Sequence, residues 1–137
     1  MADCVFCKIT AGTIPSYKIY EDADHLAFLD ISQFTPGHTL LIPKKHYRYI
    51  WDIETGAEFF KLAQKIGNHY RSLGFEFVDT LAFGRMVPHA HLHLVPHNGD
   101  DPGWEKALSG LEFFHSDAHP QNTQAELVKL VDRFKLS

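Results

Sequence analysis

The spacing of apolar residues changes along this chain, and each spacing predicts a different element. Between positions 54 and 73 the apolar residues recur at three- and four-residue steps, which predicts one long amphipathic helix. These residues are Phe59, Leu62, Ala63, Ile66 and Tyr70. Gly74 follows the last turn as the expected C-cap. A short helix is predicted at 5–11, and another near the C-terminus, beginning at about Asn122 or Thr123.

Short apolar runs separated by turn signals predict strands in the rest of the chain. The predicted strands are 17–20, 25–30, 38–42, 75–83 and 89–95. A Thr35-Pro36-Gly37 turn joins two of them, and a connection this short favours antiparallel pairing. Because the strands cluster rather than alternate with helices, the pattern favours an α+β fold with a mainly antiparallel sheet.

Length and composition narrow the class of protein. A chain of 137 residues that is 45% hydrophobic is expected to form a single globular domain over 1–137. The net charge of −4 is unlike the basic surface that binds long nucleic acid, although a nucleotide-sized anion remains compatible with it. No apolar run is long enough to span a bilayer, and no signal peptide precedes the domain, so the expected location is the cytoplasm.

The chain has two cysteines, Cys4 and Cys7, in a C-x-x-C arrangement. A disulfide does not persist in a reducing compartment, so the pair is either half of a metal site or a redox pair. A redox pair is expected just after a strand of a βαβ unit, whereas this pair stands at the start of the chain. The position favours a metal site.

Three histidines, His89, His91 and His93, occupy alternate positions in the segment PHAHLHLVP. On a strand they would share one face, with neighbours roughly 6.5–7 Å apart, while Ala90 and Leu92 enter the core from the other face. Three interpretations compete: a solvated surface, a metalloenzyme with an H-x-H chelate, and nucleophilic catalysis by neutral imidazole. An unperturbed pKa near 6.5 makes the free base available at neutral pH.

The segment HAHLHLV resembles the signature of the histidine triad (HIT) superfamily. The stretch from Cys4 to His46, which includes PGHTLLIPKKH, is similar to the N-terminal half of that family, and the likeness fades from Asn98 onward. The resemblance implies a HIT-like α+β fold: a mainly antiparallel five-stranded sheet, one long helix at about 54–73 and a short C-terminal helix. It favours nucleophilic catalysis over the other two interpretations.

The resemblance also implies roles for individual histidines. HIT proteins cleave a bond between the α-phosphate of a nucleoside monophosphate and a leaving group. The family's nucleophile falls on His91, which would form a covalent phosphohistidine intermediate. His93 falls on the position that contacts the phosphate oxygens, and His38 matches another histidine of the same site.

The resemblance places a purine nucleoside, of adenosine type, in an apolar cleft, with no organic cofactor. Asp30 would accept hydrogen bonds from the two ribose hydroxyls. His93 would contact the phosphate and complete the set of nucleotide contacts. The apolar positions of this cleft are Phe6, Ile9, Phe28 and Ile31. Composition alone, without the resemblance, favours ordinary core for Phe6, Phe28 and Ile31.

Some bacterial members hold a structural zinc ion with residues that match four positions here. These positions are Cys4, Cys7, His46 and His89. Two thiolates and two imidazoles suit a closed tetrahedral zinc site. The resemblance therefore makes His89 a structural ligand rather than a catalyst.

The segment VDTLAFGRMVPHAH departs from the family pattern, in which an asparagine and a Gly-Gln-Ser/Thr loop hold the phosphate and leaving group. Asp79 is the nearest match to the asparagine, while Arg85 replaces the glutamine and Met86 the Ser or Thr. Arg85 would act as a phosphate clamp or lie on the surface. His97 is a further candidate for leaving-group contacts. In some family members a downstream tryptophan borders the site of the partner subunit, which makes Trp104 a candidate for that position.

Family members are usually homodimers that pair through a helix and a sheet edge, which implies a dimer through helix 54–73. Two other functions stay open at this point. A non-catalytic nucleotide-binding or regulatory module is compatible with the missing Gln and Ser/Thr. A metal-dependent hydrolase would use the histidine row, although no carboxylate beside the row offers a general base.

Overall fold

The structure is a computed structural model that describes residues 3–109 and 122–136. It contains two compact units, Met1–Glu105 and Lys106–Ser137. That the whole chain is one domain stays a prediction. Within the part of the chain that the structure describes, no helix is long and apolar enough to cross a membrane.

The first unit contains a five-stranded, wholly antiparallel sheet, which confirms the predicted architecture. The strand order is β1-β2-β3-β5-β4. The strands are β1 (Lys18–Glu21), β2 (His25–Leu29), β3 (Thr39–Pro43), β4 (Phe77–Leu81) and β5 (Leu92–His97). Gly37, in the predicted turn before β3, has a φ of 101°, a left-handed conformation that favours glycine.

The long helix α2 spans Gly56–Ser72, slightly less than the predicted 54–73, and a short helix α1 spans Val5–Thr10. The predicted C-cap, Gly74, has a φ of 103°. A further helix, α3 (Pro102–Ser109), had no clear sequence signal. In the second unit α4 spans Gln124–Phe134, close to the predicted start near Asn122 or Thr123. Thr123 forms a capping box with Glu126 at its start.

The two faces of the sheet have different partners, because side chains alternate along each strand. One face packs against α2, and its core includes Ala27, Leu41, Leu92 and Leu94. The other face packs against α1, and its core is Cys4, Phe6, Leu26, Phe28, Leu40 and Ile42. The second face carries the histidines, so α1 and the histidine row lie on the same side of the sheet.

The prediction that the strand begins at His89 was wrong, because β5 begins at Leu92. The backbone of the preceding segment bonds outside the sheet: the His89 N–H donates to the Val87 carbonyl at 2.9 Å, and the Ala90 N–H donates to the Tyr47 carbonyl at 2.7 Å. Only His93 of the row belongs to the regular strand. The other two imidazoles are positioned by this irregular segment instead.

Candidate functional site

His91 is held in one tautomer by the backbone beside it. Its Nδ1 lies 2.7 Å from the His89 carbonyl oxygen, so Nδ1 carries the proton and donates it. The Nε2 lone pair is therefore free. The ring is 8% exposed and meets the edge of Phe6 at a centroid distance of 5.2 Å. An imidazole whose Nδ1–H is held by a carbonyl and whose Nε2 lone pair is free has the geometry that a nucleophile needs.

His93 is held in the opposite tautomer by a chain of hydrogen bonds. The Phe34 N–H donates to His38 Nδ1 at 3.2 Å, so the proton of His38 is on Nε2. That Nε2–H lies 2.9 Å from His93 Nδ1 and donates to it. His93 therefore carries its own proton on Nε2, where it is available to an acceptor such as a phosphate oxygen.

Burial keeps these two imidazoles neutral. Desolvation, followed by the nearby charges of His91 and His38, lowers the pKa of His93 to about 4, and Asp30 offsets part of this effect. Desolvation likewise lowers the pKa of His38, which is completely buried. At neutral pH both rings are uncharged, so His93 contributes a hydrogen-bond donor rather than a positive charge.

Asp30 lies at the end of β2, beside this histidine pair. One of its oxygens, Oδ2, lies 3.7 Å from His38 Nε2, and the other, Oδ1, accepts the Ser32 N–H at 2.8 Å. Its side chain is 19% exposed, so part of the carboxylate faces solvent. It can accept hydrogen bonds from a bound ligand without losing its backbone contact.

A cleft of about 310 Å³ brings together the predicted nucleoside contacts. It lies between α1 and the end of β2, and its walls include Leu40 and Val87. The predicted residues that line it are Phe6, Ile9, Phe28, Asp30 and Ile31. Ile31 is 90% exposed, so it forms the rim of the cleft, whereas Phe6 and Phe28 are buried in its wall.

The predicted metal ligands also converge, at the start of α1. Cys7 Sγ lies 3.2 Å from His46 Nδ1 and 3.5 Å from His89 Nδ1, and Cys4 Sγ lies 3.4 Å from His89 Nδ1. All four ligand atoms lie within 4.8 Å of one another. In a tetrahedral zinc site the S···N edges are about 3.6 Å, so the residues fit this metal.

The second nitrogen of His89 supports the same conclusion. Its Nε2 donates to the Pro43 carbonyl at 2.8 Å, which leaves the Nδ1 lone pair directed at the two thiols. Metal-bound histidines usually donate their other N–H in this way. Desolvation lowers the pKa of His89, which favours the neutral form that binds a metal. The histidine row therefore divides into three imidazoles with different hydrogen bonding.

The residues that depart from the family pattern lie outside the nucleoside cleft. The Asp79 carboxylate is paired with buried His97 at 2.7 Å, away from the nucleoside cleft. The His97 ring stacks between Phe77 and Trp104, at centroid distances of 5.3 and 4.9 Å. These contacts give His97 and Trp104 a packing role. Arg85 is exposed, and Met86 is 92% exposed.

Sequence reasoning missed Arg48. Its Nη1 donates to the Gly84 carbonyl at 2.6 Å, and its guanidinium lies 4.4 Å above the centre of the Tyr49 ring. It lines a small recess together with His91 and Trp51. The run YRYIW, which follows the predicted metal ligand His46, was the available signal, because it combines a cation with aromatic residues outside any amphipathic pattern.

Comparison with known sequences gives one consistent family. The sequence model of the HIT domain matches residues 11–100. The protein named Hit of Bacillus subtilis is 41% identical over 110 residues, which cover 74% of this chain and 76% of that protein. The adenosine 5′-monophosphoramidase of Schizosaccharomyces pombe is 36% identical over 107 residues, covering 73% of this chain and 78% of that enzyme.

Solved structures agree with the sequence matches. A Streptococcus mutans protein, SMU.412c, has a TM-score of 0.78 at 38% identity and is matched over 97% of this chain and 83% of its own. A zinc-bound histidine triad protein of Mycobacterium smegmatis has a TM-score of 0.67 at 36% identity, with 81% and 96% covered. Fold, histidine row and sequence identity together show that this chain belongs to the HIT domain family.

Proposed function

We propose that this protein is a nucleotide hydrolase or nucleotidyl transferase that cleaves at the α-phosphate of a nucleoside monophosphate derivative. The observation that carries the proposal is the complementary hydrogen bonding of two neighbouring imidazoles. His91 has a free Nε2 lone pair, and His93 presents an Nε2–H. Their ring centroids are 5.3 Å apart, close enough for one phosphate group to contact both.

The proposed reaction has two displacements. With the nucleoside in the apolar cleft and its ribose hydroxyls on Asp30, His91 Nε2 attacks phosphorus while the bond to the leaving group breaks. The leaving group departs with the bonding electrons. The His89 carbonyl, bonded to Nδ1–H, stabilises the positive ring of the resulting phosphohistidine. Water then attacks phosphorus and loses a proton to solvent, while the P–N bond breaks and its electrons return to His91 Nε2, which leaves as the neutral base.

We further propose that Cys4, Cys7, His46 and His89 hold a structural zinc ion. The ion would supply a cross-link between α1 and the segment that precedes β5. This link matters for the reaction, because α1 carries Phe6 and Ile9 of the cleft, and the His89 carbonyl positions His91. The zinc-bound relative from Mycobacterium smegmatis supports this assignment.

The test is AMP release from adenosine 5′-phosphoramidate and from diadenosine polyphosphates. His91→Ala is expected to lower turnover about a thousandfold or more, because it removes the nucleophile. His69→Ala, which changes an exposed histidine on α2, is the matched control and should leave turnover unchanged. Unchanged turnover in His91→Ala would contradict the mechanism. Quenching the wild-type reaction in alkaline detergent, where the P–N bond of a phosphohistidine is stable, should leave nucleotide bound to the protein.

Two other functions predict different results. A non-catalytic nucleotide-binding module is favoured by Met86, which offers no hydrogen-bond donor, and it predicts AMP binding without a trapped intermediate. A metal-dependent hydrolase would use the cluster of Asp30, His38 and His93, whose ligand atoms lie within 4.8 Å. It predicts that chelation abolishes turnover in protein that is still folded.

We also propose that the protein is a cytoplasmic homodimer that pairs through α2 and the edge strand β4. Phe60 supports this arrangement, because it is 45% exposed on α2 while neighbouring Phe59 is completely buried. Phe60 also borders a groove of about 360 Å³ that reaches Val78 and Thr80 of β4. Sedimentation of wild type and Phe60→Glu tests the pairing, and an unchanged dimer in the variant would exclude this surface.

A further inference from the structure

Gln33, in the turn between β2 and β3, is exposed, yet both ends of its side-chain amide bond the backbone. Its Nε2 donates to the Asp30 carbonyl at 2.5 Å and to the His38 carbonyl at 2.7 Å. Its Oε1 accepts the Gly37 N–H at 2.8 Å. These partners determine the orientation of the amide, because a carbonyl only accepts and an N–H only donates. One side chain therefore joins the two ends of the turn.

The turn that Gln33 closes also carries the group that sets the tautomer of His38. That group is the Phe34 N–H, which donates to His38 Nδ1 at 3.2 Å. It belongs to the peptide group between Gln33 and Phe34, and a peptide group is planar. Anchoring Gln33 at both ends of the turn therefore fixes the direction in which this N–H points.

The same turn offers His38 an acceptor as well as a donor. Desolvation is the largest influence on the pKa of His38 and lowers it, whereas Asp30 and a hydrogen bond to the Ser32 backbone act in the opposite direction. A backbone group favours the protonated ring only by accepting from it, so the Ser32 group is its carbonyl. If the turn shifted and the Phe34 N–H moved away, a different tautomer of His38 would have a partner.

The position of the His38 proton determines the position of the His93 proton. With its proton on Nε2, His38 donates to His93 Nδ1, and His93 presents an Nε2–H. With its proton on Nδ1, His38 would face His93 with a lone pair, and His93 would carry its own proton on Nδ1. The unprotonated Nε2 of His93 would then repel a phosphate oxygen, so the proposed site would lose a donor.

We infer that Gln33 is a positioning residue that keeps His93 in the tautomer that donates to a phosphate. Gln33 acts through the backbone of the turn and through His38, and it does not touch the substrate itself. The inference rests on the proposed function, because the tautomer of His93 affects a reaction only if a phosphate binds there.

The rest of the turn has supports that do not involve Gln33. The Asp30 N–H donates to the His38 carbonyl at 3.0 Å, which holds the proposed ribose contact. Thr35 is buried, and its hydroxyl donates to the Pro96 carbonyl at 2.5 Å. Loss of the Gln33 amide is therefore expected to change the proton position on the imidazoles while the fold and the ribose contact remain.

The first test measures AMP release by the full chain from the adenosine nucleotide that the wild type hydrolyses fastest. Gln33→Ala removes all three bonds, and Gln33→Met keeps the length of the side chain without its polar groups. Both should lower kcat at least about tenfold, because a transition-state donor is lost, and leave KM within about threefold. Gln124→Ala, which changes an exposed glutamine of α4, is the matched control and should leave both constants unchanged.

The second test observes the proton directly and needs no substrate. Protonated and unprotonated ring nitrogens differ in ¹⁵N chemical shift, so NMR of protein labelled at its ten histidines distinguishes the tautomers. The spectra of His38→Gln and His93→Gln assign the two rings. Near neutral pH the wild-type His93 should carry its proton on Nε2, and in both Gln33 variants the proton should shift to Nδ1.

The outcomes separate this inference from the proposed function. If the wild type releases AMP from no adenosine nucleotide, the proposed function is wrong, and the NMR comparison still decides whether Gln33 controls the proton on His93. If the wild type is active and both Gln33 variants keep its kcat, the role of Gln33 is wrong. A lower kcat with the Nε2–H of His93 intact would also overturn it. So would a rise in KM as large as the fall in kcat, which indicates a general disturbance of the cleft.

Discussion

The neutral state of His93 predicts how stability depends on pH. Its pKa is lowered to about 4 by burial and by the neighbouring histidines, whereas in the unfolded chain it would return to about 6.5. Below pH 6.5 the unfolded state binds a proton that the folded state does not. The free energy of unfolding therefore falls as the pH falls from 6.5 to 4, and no further contribution from His93 is lost below that range.

The size of the effect follows from the two pKa values. At about 1.4 kcal/mol for each pH unit between them, the full contribution is about 3.4 kcal/mol. His93 is partly exposed, so solvent screening reduces the expected loss to about 2 kcal/mol. Most of this loss occurs between pH 6.5 and pH 4.5, because in that range the unfolded chain is protonated at His93 and the folded protein is not.

Urea denaturation of wild type and His93→Gln over pH 4.5–7.5 measures the contribution. Glutamine keeps one hydrogen-bond acceptor for His38 and one donor for a ligand, but it does not titrate. The same metal ligands are present in both proteins, so acid release of bound metal affects them equally. The wild type should lose about 2 kcal/mol more than the variant between pH 7 and pH 4.5. Parallel stability curves across this range would refute the reasoning.

Four further predictions concern the metal site, the cleft, the core and a turn. Chelation, or Cys7→Ser, should lower the melting temperature, with loss of activity only where the protein unfolds, and elemental analysis should find no zinc in the variant. Asp30→Asn should raise KM for an adenosine substrate about tenfold by weakening the ribose contact, while circular dichroism stays unchanged. Phe59→Ala should cost about 3–5 kcal/mol in urea denaturation, because its ring is fully buried. Gly37→Ala should cost more than about 1 kcal/mol in the same assay, since its φ is 101° and a Cβ would lie 2.8 Å from Pro96.

Much of the architecture was predictable from local pattern. The apolar periodicity of α2, the turn before β3 and the approximate start of α4 are encoded by residues that are neighbours in sequence. The cluster of Cys4, Cys7, His46 and His89 was also predictable, because the resemblance to the family matches these thiols and imidazoles to the ligands of its zinc site. Helix α3 was missed, since its eight residues include a glycine and show little apolar repetition.

The chemistry of the site was decided by contacts between distant segments. Spacing by two placed the histidines in a row, but the Pro43 carbonyl, 46 residues from His89, fixes that ring's tautomer. The Phe34 N–H fixes the tautomer of His38, and His38 in turn fixes the tautomer of His93, which is 55 residues away in sequence. The Asp79 carboxylate pairs with His97, and Arg48 lines the same recess as His91. A sequence determines which groups are available. Which nitrogen holds a proton depends on the acceptor that the fold places beside it, because a buried polar group must be paired where it lies.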